Sequence, residues 1–414
     1  MMGLGSIVGT GVFVSIGIAA GVAGPSVVLA VVLAALLAGC NALSSAQLAA
    51  SHPVSGGTYE YGYKYLSPAL GFTAGWMFLC AKSASAATAA LGFSGYLLHA
   101  AGQDQDLLRW VALAAVAVLT ALVHGGLRRS NAANIVIVSL TLLSLAAFVV
   151  AGIPSLSQVG LSHFEPFLRS APGKPWSGWT NLLQATALMF VAYTGYGRIA
   201  TLGEEVTEPR TTIPTAIVAT LLTSVVLYGA VTVVAVGTIG SEALQQATAG
   251  EVAPLEVVAS HFHLPQTRWV VALGAVTAML GVLLNLIIGL SRVVLAMGRR
   301  GDLPQRLGQL DKNGTSPRAA VTFTGLLIVG LTLLGSVKAA WSFSAFTVLV
   351  YYAITNLAAL RLKGDSRLYP RLVSWCGLAG CLLLAFWVEP PYWIAGLSVL
   401  TLGLLWHGLR RWTA

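Results

Sequence analysis

Phe190-Val191-Ala192-Tyr193-Thr194-Gly195-Tyr196-Gly197 lies in the middle of an otherwise apolar segment and interrupts it. A helix in lipid satisfies every backbone group internally, so two glycines beside a hydroxyl residue mark a place where that ladder opens. Broken backbone at bilayer depth is tolerated only where protein or a polar cavity takes up the freed N–H and C=O groups, and in transporters that cavity is often the substrate site. A counterpart is then expected in the other half of the chain. Gly5-Ser6-Ile7-Val8-Gly9-Thr10-Gly11, at the start of the first apolar segment, matches it. Glycines serving close helix packing would account for one such stretch. Two of them, each in the first span of a half, favour an inverted repeat with one broken helix per half.

The composition agrees with a membrane setting. Of 414 residues 56% are hydrophobic and 9% charged, against about a quarter charged in a soluble domain. The net charge of +9 does not indicate nucleic acid, because the basic residues sit dispersed at the ends of apolar spans. Cys40, Cys80, Cys376 and Cys381 all fall in apolar spans without a CxxC pattern, so neither disulfides nor a metal site is expected. No basic n-region precedes the first span, which is therefore expected to stay in the membrane.

Apolar windows near the spanning length of about 20 residues place twelve helices, with cores at 4–22, 27–49, 68–98, 108–126, 132–153, 178–201, 212–239, 269–297, 319–336, 341–361, 370–388 and 391–409. With the N-terminus cytoplasmic, seventeen Lys and Arg fall on the inner side and five on the outer. The positive-inside bias thus gives both termini cytoplasmic, in a multi-pass protein of the plasma (inner) membrane. Ser55-Gly56-Gly57-Thr58-Tyr59-Glu60-Tyr61 becomes an inner connector, read either as an interfacial turn with aromatic anchors or as part of a gate.

Lys82 is the most unusual single residue. It lies some fourteen residues beyond Pro68, roughly 20 Å along a helix at 1.5 Å per residue, too deep to snorkel easily. The spans hold no carboxylate at that depth. Such a lysine either titrates, because desolvation opposes its charge, or meets an anionic substrate group or backbone carbonyls. Its helix face continues through Ser85, Ala86 and Ala89, small enough to admit another helix or a cavity. The hydroxyls Ser139, Thr141 and Ser144 of span five are read as bonding back to their own helix. Glu204 and Glu205 follow the second break and are candidates for a cytoplasmic gate or a solvated face. The outer segment 240–267 carries His261-x-His263 without further ligands, so no metal is expected there. The last four helices show no polar constellation.

Several motifs in order resemble the amino acid–polyamine–organocation (APC) superfamily: Gly5-Ser6-Ile7-Val8-Gly9-Thr10-Gly11-Val12-Phe13, Pro53-x-Ser55-Gly56-Gly57-x-Tyr59, Phe190-Val191-Ala192-Tyr193-Thr194-Gly195-Tyr196, Glu204-Glu205-Val206-x-x-Pro209-Arg210-x-x-Ile213-Pro214 and Arg300-Gly301-Asp302-Leu303-Pro304. The likeness covers spans one to eight. It implies an all-α integral membrane protein with the LeuT-like 5+5 inverted repeat, broken helices 1 and 6, and two additional C-terminal helices. The first repeat would occupy 1–153, the second 154–336 completed by helix 10 at 337–361, and the extra pair 362–414. The resemblance also implies an amino acid lying between the broken helices. Its carboxylate would meet the amides of Gly9, Thr10 and Gly11, and its ammonium the carbonyls of Ile7, Val191, Ala192 and Thr194. Freed N–H groups suit an anion and freed carbonyls a cation.

This chain departs from the family in three ways. Proton-coupled members often carry a lysine in span five, where the region near Ser139 to Thr141 has none; Lys82 is the candidate for the missing charge. The cationic amino acid branch tends to carry Glu-Tyr in span three, where this chain has Ala81-Lys82, so neutral substrates are expected. Only about five residues precede the first break, which leaves either a truncated start or an unusual inner gate. The expected activity is secondary active transport of amino acids by alternating access, not an enzyme. Proton symport ranks ahead of exchange, and sodium coupling third, with no other cofactor. The partners expected are a small amino acid and the bilayer. The rivals are an amino acid exchanger and a non-transporting amino-acid-sensing receptor of the same fold. An integral-membrane enzyme ranks lower still, since no nucleophile with a positioned base sits at membrane depth.

Overall fold

The computed structural model describes residues 4–54, 56–126, 131–170, 173–174, 176–197, 209–250, 252–311 and 316–412, and is all-helical among them. The first apolar segment is three short helices, α1 (Leu4–Ile7), α2 (Thr10–Phe13) and α3 (Ser15–Ala23), separated at Val8-Gly9 and at Val14. Gly24, at φ 64°, and Pro25 then turn the chain into α4 (Val27–Ser51). A positive φ suits glycine, and proline cannot continue the preceding helix. The connector at 55–61 contains a short helix, α5 (Thr58–Tyr65), which leads into α6 (Pro68–Ala100). Ser67 caps α6 by accepting from the Leu70 amide at 3.3 Å, and Pro68 occupies its first position.

There follow α7 (Leu108–His124), α8 (Asn131–Val159), α9 (Ser177–Tyr193), α10 (Pro209–Gly250), α11 (Pro254–Ser260), α12 (Thr267–Arg300), α13 (Arg318–Leu333), α14 (Val337–Leu360), α15 (Arg371–Ala385) and α16 (Pro390–Trp412). The sixth expected core, 178–201, does not run through: α9 stops at Tyr193, and a 3-10 turn, Thr194–Tyr196, takes over. α10 is kinked at Gly240, where φ is 77°. The end of α12 explains the Arg-Gly-Asp-Leu-Pro sequence. Gly301 sits in the left-handed region at φ 86°, its amide donates to Gly298 O at 3.3 Å, and the Asp302 amide donates to Met297 O at 2.9 Å. This pair of hydrogen bonds closes the helix C-terminus beneath the basic residues Arg299-Arg300.

Among the described residues seven helical stretches are long and apolar enough to cross a membrane, where twelve spans were expected: Ser15–Ser51, Gln105–His124, Ala132–Gln158, Thr211–Gly250, Thr267–Arg300, Val337–Leu360 and Pro390–Trp412. The difference has physical causes. Ser15–Ser51 is one stretch only by adjacency, being α3 and α4 on either side of Pro25. α6 has 33 residues but is diluted by Gly, Ser, Thr and Lys82. α13 and α15 are apolar but have 16 and 15 residues, short of the roughly 20 that span a bilayer. Large apolar side chains point outward along these helices, among them Leu36, Val136, Leu143, Val226, Leu372 and Leu402. That is the surface of a multi-pass membrane protein. Inside, α6 packs against α14 and α12, and α4 against α10 and α9, so the broken segments are enclosed.

Candidate functional site

The two breaks meet. A Cβ on Gly11 would lie 2.7 Å from Ala192 Cβ and 2.8 Å from Ala192 Cα, so the bare glycine backbone of α2 touches the end of α9. A Cβ on Gly9 would likewise lie 2.6 Å from Cγ2 of Val282 in α12. Between the breaks is a cavity of about 50 Å³, lined by Ile7, Thr10, Gly11, Lys82, Ser85, Val191, Ala192, Thr194, Gly195, Val282, Leu286 and Trp341. A water needs roughly 10–15 Å³ on this scale, so the space suits a compact ligand.

Six of the seven substrate-contact residues expected from the sequence therefore line one cavity, together with Lys82, while Gly9 stands beside it against Val282. Lys82 Nζ donates to Thr194 Oγ1 at 2.8 Å, and Thr194 Oγ1 donates to Val191 O at 2.8 Å. A cation from α6 is thus tied to the 3-10 turn where α9 ends. Thr194 is its only hydrogen-bond partner among the described residues, and an ammonium has three N–H groups to place. Thr10 Oγ1 is buried and has no partner among the described residues. One orphaned hydroxyl and a singly bonded lysine together leave hydrogen-bonding capacity unused at the cavity.

The carbonyls are less free than the sequence suggested. Tyr228 OH, from α10, donates to Ile7 O at 2.8 Å and reaches Ala192 O at 3.4 Å, so one phenol bridges both breaks. Tyr352 OH, from α14, donates to Thr194 O at 3.1 Å. Val191 O takes both the Thr194 hydroxyl and the Thr194 amide. A carbonyl has two acceptor positions, so Val191 is the poorest candidate of the four for a substrate ammonium. Trp341, also from α14, lines the cavity and donates its indole N–H to Leu188 O at 3.0 Å. The expectation that the last four helices hold no polar constellation is corrected here. Isolated tyrosines and a tryptophan in apolar spans look like packing residues until their polar ends are seen to meet broken backbone.

Two of the three hydroxyls of span five bond back to their own helix as expected. Thr141 Oγ1 donates to Ile137 O at 2.7 Å and Ser144 Oγ to Thr141 O at 2.9 Å, both within α8. The gating candidates Glu204 and Glu205 lie outside the described residues. His261 Nδ1 contacts Val257 O at 2.9 Å, and His263 faces Ser155 and Gln158. Among the described residues no group of three metal-ligating side chains occurs.

A second polar cluster sits where α5, the end of α12 and the end of α16 converge. Tyr59 OH donates to Asp302 Oδ2 at 2.6 Å, Tyr63 OH to the same oxygen at 2.7 Å, and His407 Nδ1 lies 3.3 Å from Asp302 Oδ1. Burial first, and the Asp302 carboxylate second, push the Tyr59 and Tyr63 hydroxyls well above the ordinary phenol range, so both stay donors. Arg300 binds Glu60 at 2.7 Å and covers the Tyr63 ring at 4.1 Å. Asp302→Asn removes the charge that three donors share while keeping the shape. At about 1.5–3 kcal/mol for a hydrogen bond to a charged group, the thermal midpoint of the purified protein should fall clearly, and an unchanged midpoint would show that the cluster holds nothing together.

The profile of the amino acid permease family matches residues 1–410. An uncharacterized transporter of Mycobacterium tuberculosis is 39% identical over 411 residues, covering 99% of this chain and 89% of that protein. The branched-chain amino acid permease of Bacillus subtilis is 29% identical over 354 residues, covering 81% of this chain and 72% of that protein. The methylthioribose transporter of the same organism is 27% identical over 348 residues, covering 80% and 72%.

Proposed function

Because the chain belongs to the amino acid permease family of the APC superfamily, we propose that it moves neutral amino acids across the plasma membrane by alternating access, coupled to protons through Lys82. The observation that carries this reading is the bond from Lys82 to Thr194, which puts a lone cation inside the cavity between the two broken helices. A half-buried charge without a counter-ion among the described residues is costly unless it is neutralised or answered by a ligand. Proton binding and release at this one amine, together with arrival of a zwitterion, are two ways to answer it. Coupling them is proton symport. The proposed arrangement is the LeuT-like 5+5 repeat with both termini cytoplasmic.

The wall of the cavity supports a neutral substrate. Val282, Leu286, Trp341 and Ala192 offer an apolar surface, and Lys82 would repel a cationic side chain. The branched-chain permease relative agrees with an apolar side chain. A side chain of that size requires Trp341 or Leu286 to shift, given the cavity's about 50 Å³. The substrate carboxylate is assigned to the amides of Gly9, Thr10 and Gly11, with Thr10 Oγ1 as an additional partner, and the ammonium to Ile7, Ala192 and Thr194 carbonyls.

The test is uptake of a panel of labelled amino acids, with methylthioribose included, into liposomes holding the purified protein, with and without an inward proton gradient. Gradient-driven accumulation of neutral amino acids is expected. Uptake only into preloaded liposomes would replace symport by exchange. Binding without any uptake would replace transport by sensing.

A further inference from the structure

At the opposite end of α6 from α5, far from Lys82, His99 Nδ1 lies 2.9 Å from Glu256 Oε1. Glu256 is 1% exposed, and its second oxygen is buried without a partner among the described residues. A buried carboxylate in that condition is held by its one ionic contact and by the first turn of its own short helix, α11. The neighbouring Leu255 amide donates to Tyr96 OH at 3.1 Å, and Tyr96 OH donates to Phe13 O at 2.8 Å. Phe13 is the last residue of α2, whose first two residues, Thr10 and Gly11, line the cavity. An unbroken chain of contacts thus runs from Glu256 to the first broken helix.

We propose that His99 and Glu256 form a second proton-binding site, on the face that the positive-inside reading puts outside, whose ion pair latches α11 against α6 and the broken helix. One proton added to the pair leaves an imidazolium against a neutral carboxyl, and the attraction that seats α11 is lost. The helix then loosens and Tyr96 loses the donor that fixes it. Opening toward the outside therefore follows external acidity, the direction a proton symporter needs. That last consequence rests on the transport reading above; the latch itself does not.

Among the described residues, several other ionisable groups of the surrounding elements have contacts of their own. Glu242 of α10 pairs with Arg169, and Arg268 of α12 covers the Trp269 ring at 4.7 Å. His261 binds Val257 O, His263 faces Gln158, and Asp104 accepts from the Asp106 amide. Tyr96 is the one further titratable group in the chain of contacts, and it serves there as both donor and acceptor.

The measurement is hydrogen–deuterium exchange of the amides at 254–260 in the full chain reconstituted in nanodiscs, from about pH 8 to about pH 3.5, a range that covers the ordinary values of both histidine and glutamate. Rates are corrected for intrinsic pH dependence. Protection of this segment in the wild type should fall about tenfold as pH is lowered, the scale of one charge-assisted contact. Glu256→Gln should show low protection at every pH. Wild-type protection that stays constant would overturn the proposal without reliance on any variant, and so would a Glu256→Gln protein that keeps the wild-type response. Amino acid uptake measured in parallel separates the two ideas: a responsive helix without uptake removes the transport reading alone, and uptake with an unresponsive helix removes the latch alone.

Discussion

Lys82→Met should lose gradient-driven accumulation by about 100-fold or more while remaining folded, because it removes the only charge among the described residues lining the cavity and keeps much of the length of the side chain. The break itself should survive. Thr194 Oγ1 still donates to Val191 O, and Tyr352 still donates to Thr194 O. What disappears is the donor that Lys82 supplies to Thr194 and the proton it carries. A hydrogen bond to a charged group contributes about 1.5–3 kcal/mol, which alone is about tenfold to a hundredfold in binding; loss of the coupling step adds to that. The informative comparison is uptake with and without the proton gradient. Residual uptake in the variant should no longer respond to the gradient. If Lys82→Met keeps the pH-dependent uptake of the wild type, Lys82 is a structural lysine and the coupling site lies elsewhere.

Gly11→Ala tests the geometry as Lys82→Met tests the chemistry. The new Cβ would meet Ala192 Cβ at 2.7 Å and Ala192 Cα at 2.8 Å, closer than real carbon atoms approach. The neighbour is backbone at the end of α9, so it cannot swing aside as a long side chain would. Overpacking of this kind costs about 1–3 kcal/mol. Here the cost takes the form of widening the gap between the two broken helices, the gap in which the substrate is to be held. Substrate affinity is therefore expected to fall about tenfold to a hundredfold, more than the thermal midpoint suggests. Adding Ala192→Gly removes the methyl clash but not the clash with the main chain of residue 192, so it should restore binding only in part. Full activity in Gly11→Ala would mean that the close approach is not required.

The breaks were legible because the same pattern of glycine and hydroxyl residues occurs twice, each time in the first span of a half, which close helix packing alone does not call for. Lys82 was legible for a similar reason, since a lone cation at bilayer depth stands out in any reading. The ring of aromatic donors was not. Tyr228, Trp341 and Tyr352 lie far apart in the chain, and nothing in their neighbours distinguishes a tyrosine that caps a broken carbonyl from one that fills space. The carbonyls of Ile7, Ala192 and Thr194 were expected to wait for a substrate, yet Ile7 and Thr194 each already accept a phenolic hydroxyl and Ala192 O lies 3.4 Å from one. The protein thus solves the problem of broken backbone partly by itself. The same limit applies to the Asp302 cluster, where Tyr59, Tyr63 and His407 come from opposite ends of the chain. Sequence spacing carries no trace of such a meeting.

The helix count shows how composition misleads in the other direction. α6 holds the candidate coupling residue, yet its Gly, Ser and Thr content keeps it below the apolarity of a span, although it is 33 residues long. A helix buried on most sides in protein has no need to be as apolar as one facing lipid. Polarity in this helix is where the site is, which is why a strict apolarity threshold passes over a segment that the sequence reading places as a span.

The central claim is that an amino acid occupies the cavity between the two breaks. The most direct measurement is a structure of the purified protein in nanodiscs with a neutral amino acid that it accumulates. Ligand density is predicted between Thr10-Gly11 and Val191 to Thr194, with the carboxylate end toward the Thr10 and Gly11 amides and the side chain toward Val282, Leu286 and Trp341. Density at any other place, with this cavity empty at saturating ligand, would contradict the account.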